Sequence, residues 1–180
     1  MKLLKNSMLR NIFAAIGLVS CCLIAIVLTF FAYSITWGNR DKIDQATNSD
    51  VSFVLNWCEL GDEKIEKVLR SYVSKSGFTG DHHDAYLIKI KGFKYDDLEK
   101  AQPGKWYRGD QLPELLKEAV NFGMSFKQET PWFINESEIL KDDCYVYPWF
   151  IGTDGLTPRS IQIIILKPKL SLVYYIDASI

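Results

Sequence analysis

From Ile12 to Ile35 the chain carries 24 consecutive residues without a charge. A helix of that length spans about 36 Å at roughly 1.5 Å per residue, enough to cross a ~30 Å hydrocarbon core with some tilt. Thirteen of the positions are Ile, Leu, Val or Phe. At about −0.3 to −0.6 kcal/mol each, they favour insertion by roughly 4 to 8 kcal/mol, and no Asp, Lys or Arg opposes them. Tyr33 and Trp37 stand at the far end, where amphipathic rings prefer the interface. A buried helix of a soluble core is normally shorter and carries a polar stripe. The segment is therefore expected to be a retained transmembrane helix over residues 12–35. It would follow a basic cytoplasmic tail (1–11) and lead through a polar stalk (36–50) to an outer domain (51–180).

Two processing routes compete with retention. Leu18-Val19-Ser20-Cys21 resembles the lipobox of bacterial lipoprotein signals, which would attach the protein through Cys21. Lipoproteins usually turn polar just after the modified cysteine, whereas Leu23 to Ala32 is apolar apart from Thr29. Cleavage after Ala32-Tyr33-Ser34 would require an apolar region longer than ordinary signal peptides carry. Lys2, Lys5, Arg10 and the α-amino group precede the helix, and Arg40 and Lys42 follow it. The positive-inside rule then puts the N-terminus in the cytoplasm and the domain outside. The expected location is the bacterial cell inner membrane, with the C-terminal domain in the periplasm.

Residues 41–180 hold all 22 acidic residues and 17 of the 21 basic ones, a net charge near −5. That balance argues against a nucleic-acid partner and against clamping onto an anionic membrane surface. The length suits one core. Cys58 and Cys144 are the domain's two cysteines, and in an oxidising compartment they would be expected to form a disulfide worth about 3–5 kcal/mol.

Two helices read from the spacing. In Asp62–Ser76, Ile65, Val68, Leu69, Tyr72 and Val73 recur at helical intervals, with Asp62 as N-cap and Gly77 as stop. The second places Leu112, Leu115, Leu116, Ala119 and Val120 on one face, with Asp110 before it, Pro113 in its first turn and Gly123 at its end. Ala85–Lys91 alternates as a half-buried strand, and Ile161–Leu166 reads as a central one. Lys167-Pro168-Lys169 turns into a strand over Leu170–Ile176. Cys144–Ile151 is an aromatic-rich strand followed by an Asp154-Gly155 turn. Val51–Cys58 fits a strand or the front of a helix. The order β-α-β-(short β)-α-β-β-β implies an α+β domain with two helices packed on one face of a mostly antiparallel sheet.

Functional candidates are few. Asp81-His82-His83-Asp84 holds both histidines, and imidazole with carboxylate can bind zinc. Adjacent side chains on an extended loop point apart, however, so a solvated loop is the simpler reading and no cofactor is expected. Pro131-Trp132-Phe133-Ile134 is echoed by Pro148-Trp149-Phe150-Ile151. The pairs Trp132–Phe133 and Trp149–Phe150 are either core or an interaction patch. No nucleophile elbow, zinc-protease helix, phosphate loop or dinucleotide fingerprint occurs. The expectation is a protein-interaction module of the envelope, either an accessory subunit or an immunity-type binder. A membrane-tethered hydrolase or metalloenzyme using residues 81–84 is the rival.

Overall fold

The computed structural model describes residues 2–33, 40–75, 80–94, 96–100 and 105–180. It divides into two units, Met1–Arg40 and Asp41–Ile180. The first contains one helix, α1 (Lys2–Tyr33). Its stretch Arg10–Tyr33 is 24 residues long and apolar enough to cross a membrane. Apolar side chains stand exposed on every side of it, so no water-facing stripe exists for a globular surface to use. The Thr29 hydroxyl donates to the Ala25 carbonyl at 2.8 Å, which satisfies the segment's one threonine internally. Such a helix fits a signal anchor or a transmembrane helix. Ile35, Trp37 and the start of the expected stalk lie outside the described residues, as does Gly77.

The second unit is built on one seven-stranded sheet in the order β1-β2-β3-β7-β6-β5-β4, antiparallel throughout. Its strands are β1 (Lys42–Ile43), β2 (Ile65–Val73), β3 (His82–Ile90), β4 (Tyr107–Arg108), β5 (Tyr145–Asp154), β6 (Thr157–Lys167) and β7 (Leu172–Ser179). The expected hairpin through Lys167-Pro168-Lys169 joins β6 to β7, and Asp154-Gly155 turns β5 into β6. Gly155 has φ +62°, the left-handed conformation such a turn requires. Residues 41–50 belong to this unit and do not form a free stalk. Lys42 and Ile43 pair with Val73 and Tyr72, and the Asp44 carboxylate accepts the Ser71 N–H at 2.9 Å and Arg70 Nε at 3.0 Å.

Helices cover both faces of the sheet, not one. Val51–Cys58 resolves as a helix, α2 (Ser52–Trp57), which buries Val54 and Leu55. It lies over a core of Ile88, Ile90, Tyr147, Ile164, Leu166, Val173 and Tyr175. On the other face α4 (Glu114–Met124) and α5 (Glu136–Ile139) cover Val146, Ile161, Ile163, Ile165, Tyr174 and Ile176. The α4 pattern was legible, but two of its markers act differently. Pro113 stands at the N-cap position and not in the first turn, and Gly123 lies inside the helix and does not end it. A Cβ on Gly123 would come within 2.9 Å of Ile161 Cδ1 and 3.1 Å of Ile176 Cδ1, so glycine lets α4 approach the sheet closely. A short helix, α3 (Asp96–Lys100), completes the unit.

The expected helix over Asp62–Ser76 is wrong: Ile65–Val73 is a strand. Its pairing with β3 skips a residue between Ile65 and Lys67 and again between Val68 and Arg70. Each bulge sets two residues against one. Two bulges in succession therefore stretch the strand's period from two to three, bringing Ile65, Val68 and Ser71 to one face. That spacing imitates the turn of a helix.

Cys58 and Cys144 are free and buried, which corrects the expected disulfide. Cys58 follows α2 into the core on one face, while Cys144 enters the core on the other. The sheet itself separates the two sulfurs. Burial pushes each thiol up to about 12. Both should resist iodoacetamide in the native protein and react after unfolding, as measured by mass. A Cys58–Cys144 linked peptide under non-reducing conditions would contradict this.

Candidate functional site

Strand β3 opens at the 81–84 cluster, and its alternation disperses the four residues. His82 and Asp84 point to the face that carries α2, whereas His83 joins the face that carries α4. His82 Nε2 lies 2.8 Å from Asp177 Oδ1, and its Nδ1 lies 3.1 Å from the Gly80 carbonyl. The other Asp177 oxygen accepts from Gln162 Nε2 at 2.9 Å and the Tyr175 hydroxyl at 3.3 Å. Burial works against charge on His82, but the Gly80 carbonyl and Asp177 outweigh it and the imidazole is held above its ordinary value. Asp84 is the cross-strand neighbour of Asp177. Burial, reinforced by that carboxylate, raises Asp84 despite the Ser74 N–H it accepts at 3.2 Å.

Among the described residues no group of three His, Cys, Asp or Glu side chains is placed to hold a metal. What the sequence reading missed is Asp177, whose carboxylate gathers His82, Gln162 and Tyr175 from three neighbouring strands. The alternation of Val173, Tyr175 and Asp177 was the signal that would have placed it on this face. With both Asp177 oxygens and both His82 nitrogens engaged, the network is built to hold the sheet end rigid.

His83 is 3% exposed, and neither ring nitrogen has a hydrogen-bond partner. Its ring lies 5.3 Å from that of Tyr72 and 5.0 Å from that of Phe126. Burial pushes the imidazole down to about 4 from an ordinary 6.5, only partly offset by Glu129 and Asp177. The native state therefore keeps His83 neutral where the unfolded chain would protonate it. Stability should be fully present above pH 6.5 and fall as pH drops from 6.5 toward 4, by up to about 3 kcal/mol. His83→Phe should flatten that part of the Tm–pH curve. An unchanged slope in the variant would remove His83 as the cause.

The two Pro-Trp-Phe-Ile stretches do not meet in one patch. Phe133 is buried against Tyr174 on the α4 face, and Trp132 lies half-buried beside it with the Arg70 guanidinium 5.7 Å from its centre. Trp149 and Phe150 project from β5, 42% and 49% exposed. A register shift between Pro148 and Phe150 places Trp149 at the irregularity. Its indole stacks on that of Trp57 at the end of α2, with centroids 4.9 Å apart and planes 7° from parallel. Trp57 is braced in turn by Phe53 at 4.6 Å and Tyr175 at 6.1 Å. Gly152 leaves room for the Phe150 ring, which approaches within 3.1 Å of where a Cβ would stand.

No family model, curated protein or solved structure matches the chain. The functional reading therefore rests on this geometry. Its most distinctive surface feature is an aromatic shelf, Trp149 and Phe150, held from beneath by Trp57.

Proposed function

We propose that this is a single-pass membrane protein of the bacterial inner membrane whose periplasmic domain binds an envelope protein through Trp149 and Phe150. The apolar helix α1 supports the anchor, and its unbroken course through Cys21 to Tyr33 supports retention over lipid attachment at Cys21. The excess of basic residues before it supports the orientation. The observation that carries the binding reading is the exposed Trp149 stacked on Trp57 with Phe150 at its side. Tryptophan dominates binding energetics when it enters a desolvated pocket. Here its ring is already fixed by Trp57, so little conformational freedom remains to be lost on docking. The net charge near −5 outside residues 1–40 favours a partner with a basic rim. An accessory role in an envelope complex and neutralisation of an incoming toxin both use such a surface.

The test compares full-length protein with the Trp149→Ala/Phe150→Ala variant, reconstituted in lipid and used to capture envelope proteins. The double variant should weaken retention of the specific partner by about 30-fold, equivalent to roughly 2 kcal/mol. It should shift the melting temperature little, because both rings are already half in water. Equal retention by both proteins would defeat the reading.

A further inference from the structure

We propose that the cavity between segment 42–50 and strands β2 and β3 binds a small zwitterion. The ligand class is a free amino acid or a short peptide, held through its ammonium and its carboxylate together. The cavity measures about 410 Å³, within the roughly 300–1,000 Å³ of small-molecule sites. Ser71, Val73 and Tyr86 form its floor, and Lys42, Gln45, Ala46 and Asp50 wall it. The wall is pinned to the sheet: Lys42 pairs with Val73, and the Ala46 N–H donates to Ser71 Oγ at 3.1 Å. Lys42 and Asp50 bring one charge of each sign. The Thr47 N–H and hydroxyl both donate to Asp50 Oδ2 at 2.7 Å and hold the carboxyl below its ordinary range. The Lys42 ammonium lowers it further, yet no ion pair joins the two among the described residues. Opposite charges therefore face one cavity without neutralising each other.

Tyr86 makes this more than a pair of rim charges. The residue is 7% exposed, and its hydroxyl takes no hydrogen bond among the described residues. The hydroxyl is not sealed off as the unpaired nitrogens of His83 and Trp106 are. It opens into the cavity that Tyr86 lines. Burial, and then Asp84, Asp50 and Asp177, push it up to about 12, so it stays protonated and acts as a donor. Ser71 is 1% exposed, and its Oγ accepts from Ala46 while its own proton goes to no described residue. Buried hydroxyls normally donate to an acceptor, and here an occupant of the cavity is placed to supply one. With the Lys42 ammonium the two hydroxyls make a seat for a carboxylate, and Asp50 is the counterpart for an ammonium. A monoanion would leave Asp50 unpaired, a monocation would leave Lys42 unpaired, and a neutral polyol would leave both.

Ligand-observed NMR on full-length protein in a non-ionic detergent tests this, with glycine and glycylglycine as probes. At least one should saturate with a midpoint of about 1 mM. N-acetylation of that probe removes its ammonium and amidation its carboxylate, and each should weaken binding about tenfold. Tyr86→Phe keeps the ring stacked on Tyr175, with centroids 5.8 Å apart, and should weaken binding about fivefold. Lys42→Met, at an exposed position, should weaken it about tenfold. Melting curves check the fold of both variants, and the blocked probes test the wild type alone. Saturation by glycine assigns the site to free amino acids, and saturation by glycylglycine alone assigns it to peptides. The inference is overturned if neither probe saturates, or if either blocked form binds as tightly as its parent. It is equally overturned if either folded variant keeps the wild-type midpoint. Neither substitution touches Trp149 or Phe150, so failure here leaves the shelf reading standing.

Discussion

Replacing Leu23 and Val27 together with arginine should move the protein from the membrane pellet to the soluble fraction. The two positions lie one turn apart near the middle of the apolar stretch Arg10–Tyr33. Each arginine at a helix centre costs about 2.5–3.5 kcal/mol and removes a residue worth roughly −0.3 to −0.6. The pair therefore subtracts about 6–8 kcal/mol, as much as the whole apolar complement of the helix supplies. Carbonate extraction followed by sedimentation is the measurement, with Leu23→Ala/Val27→Ala as the control that stays in the pellet. If the arginine variant also remains in the pellet, α1 is not what holds the protein there. If the wild type is itself soluble, the segment is a removed signal.

Gly109→Ala should be the most damaging Gly→Ala change among the described glycines of the second unit. Gly109 is buried, and its N–H donates to the Cys144 carbonyl at 2.8 Å, which ties it to the residue before β5. A Cβ built there would stand 1.9 Å from the Ile139 carbonyl oxygen and 2.4 Å from that of Lys141. Both obstacles are backbone, so no rotamer change relieves the clash. Either the end of α5 or the entry to β5 must move. Overpacking of this kind costs about 3 kcal/mol or more, a loss of roughly 10 °C in Tm for a domain of this size. Gly155→Ala is the comparison. It meets open space but has φ +62°, so its cost should stay near 1 kcal/mol. Thermal melts of the two variants should separate clearly, and equal melts would show that the close approach at Gly109 is relieved at little cost.

How much of this was legible before the structure depended on how locally each feature is encoded. The apolar segment, the β6–β7 hairpin and the amphipathic face of α4 are local, and the residues that specify them are contiguous. The β2 strand was not legible, because its two bulges follow from pairing with β3 and turn an alternating strand into one with helical spacing. The cysteines misled for a related reason. Compartment and count suggested a pair, but only the sheet topology shows that Cys58 and Cys144 enter opposite cores. The same holds for the aromatic echo. Trp132–Phe133 and Trp149–Phe150 are similar in sequence yet sit on opposite faces of the sheet. What makes Trp149 distinctive is Trp57, 92 positions earlier in the chain. Asp177 likewise gains His82 and Gln162 from strands that only the fold brings beside its own.

The central claim is that a membrane-held domain presents Trp149 to an envelope protein. The most direct measurement replaces Trp149 with a photo-crosslinking amino acid in the full-length protein, irradiates intact cells and identifies the adducts by mass. A discrete adduct with an envelope protein is predicted from position 149. None is predicted from position 169, whose lysine lies exposed in the β6–β7 turn. Adducts with cytoplasmic proteins, or no adduct at position 149, would contradict the account.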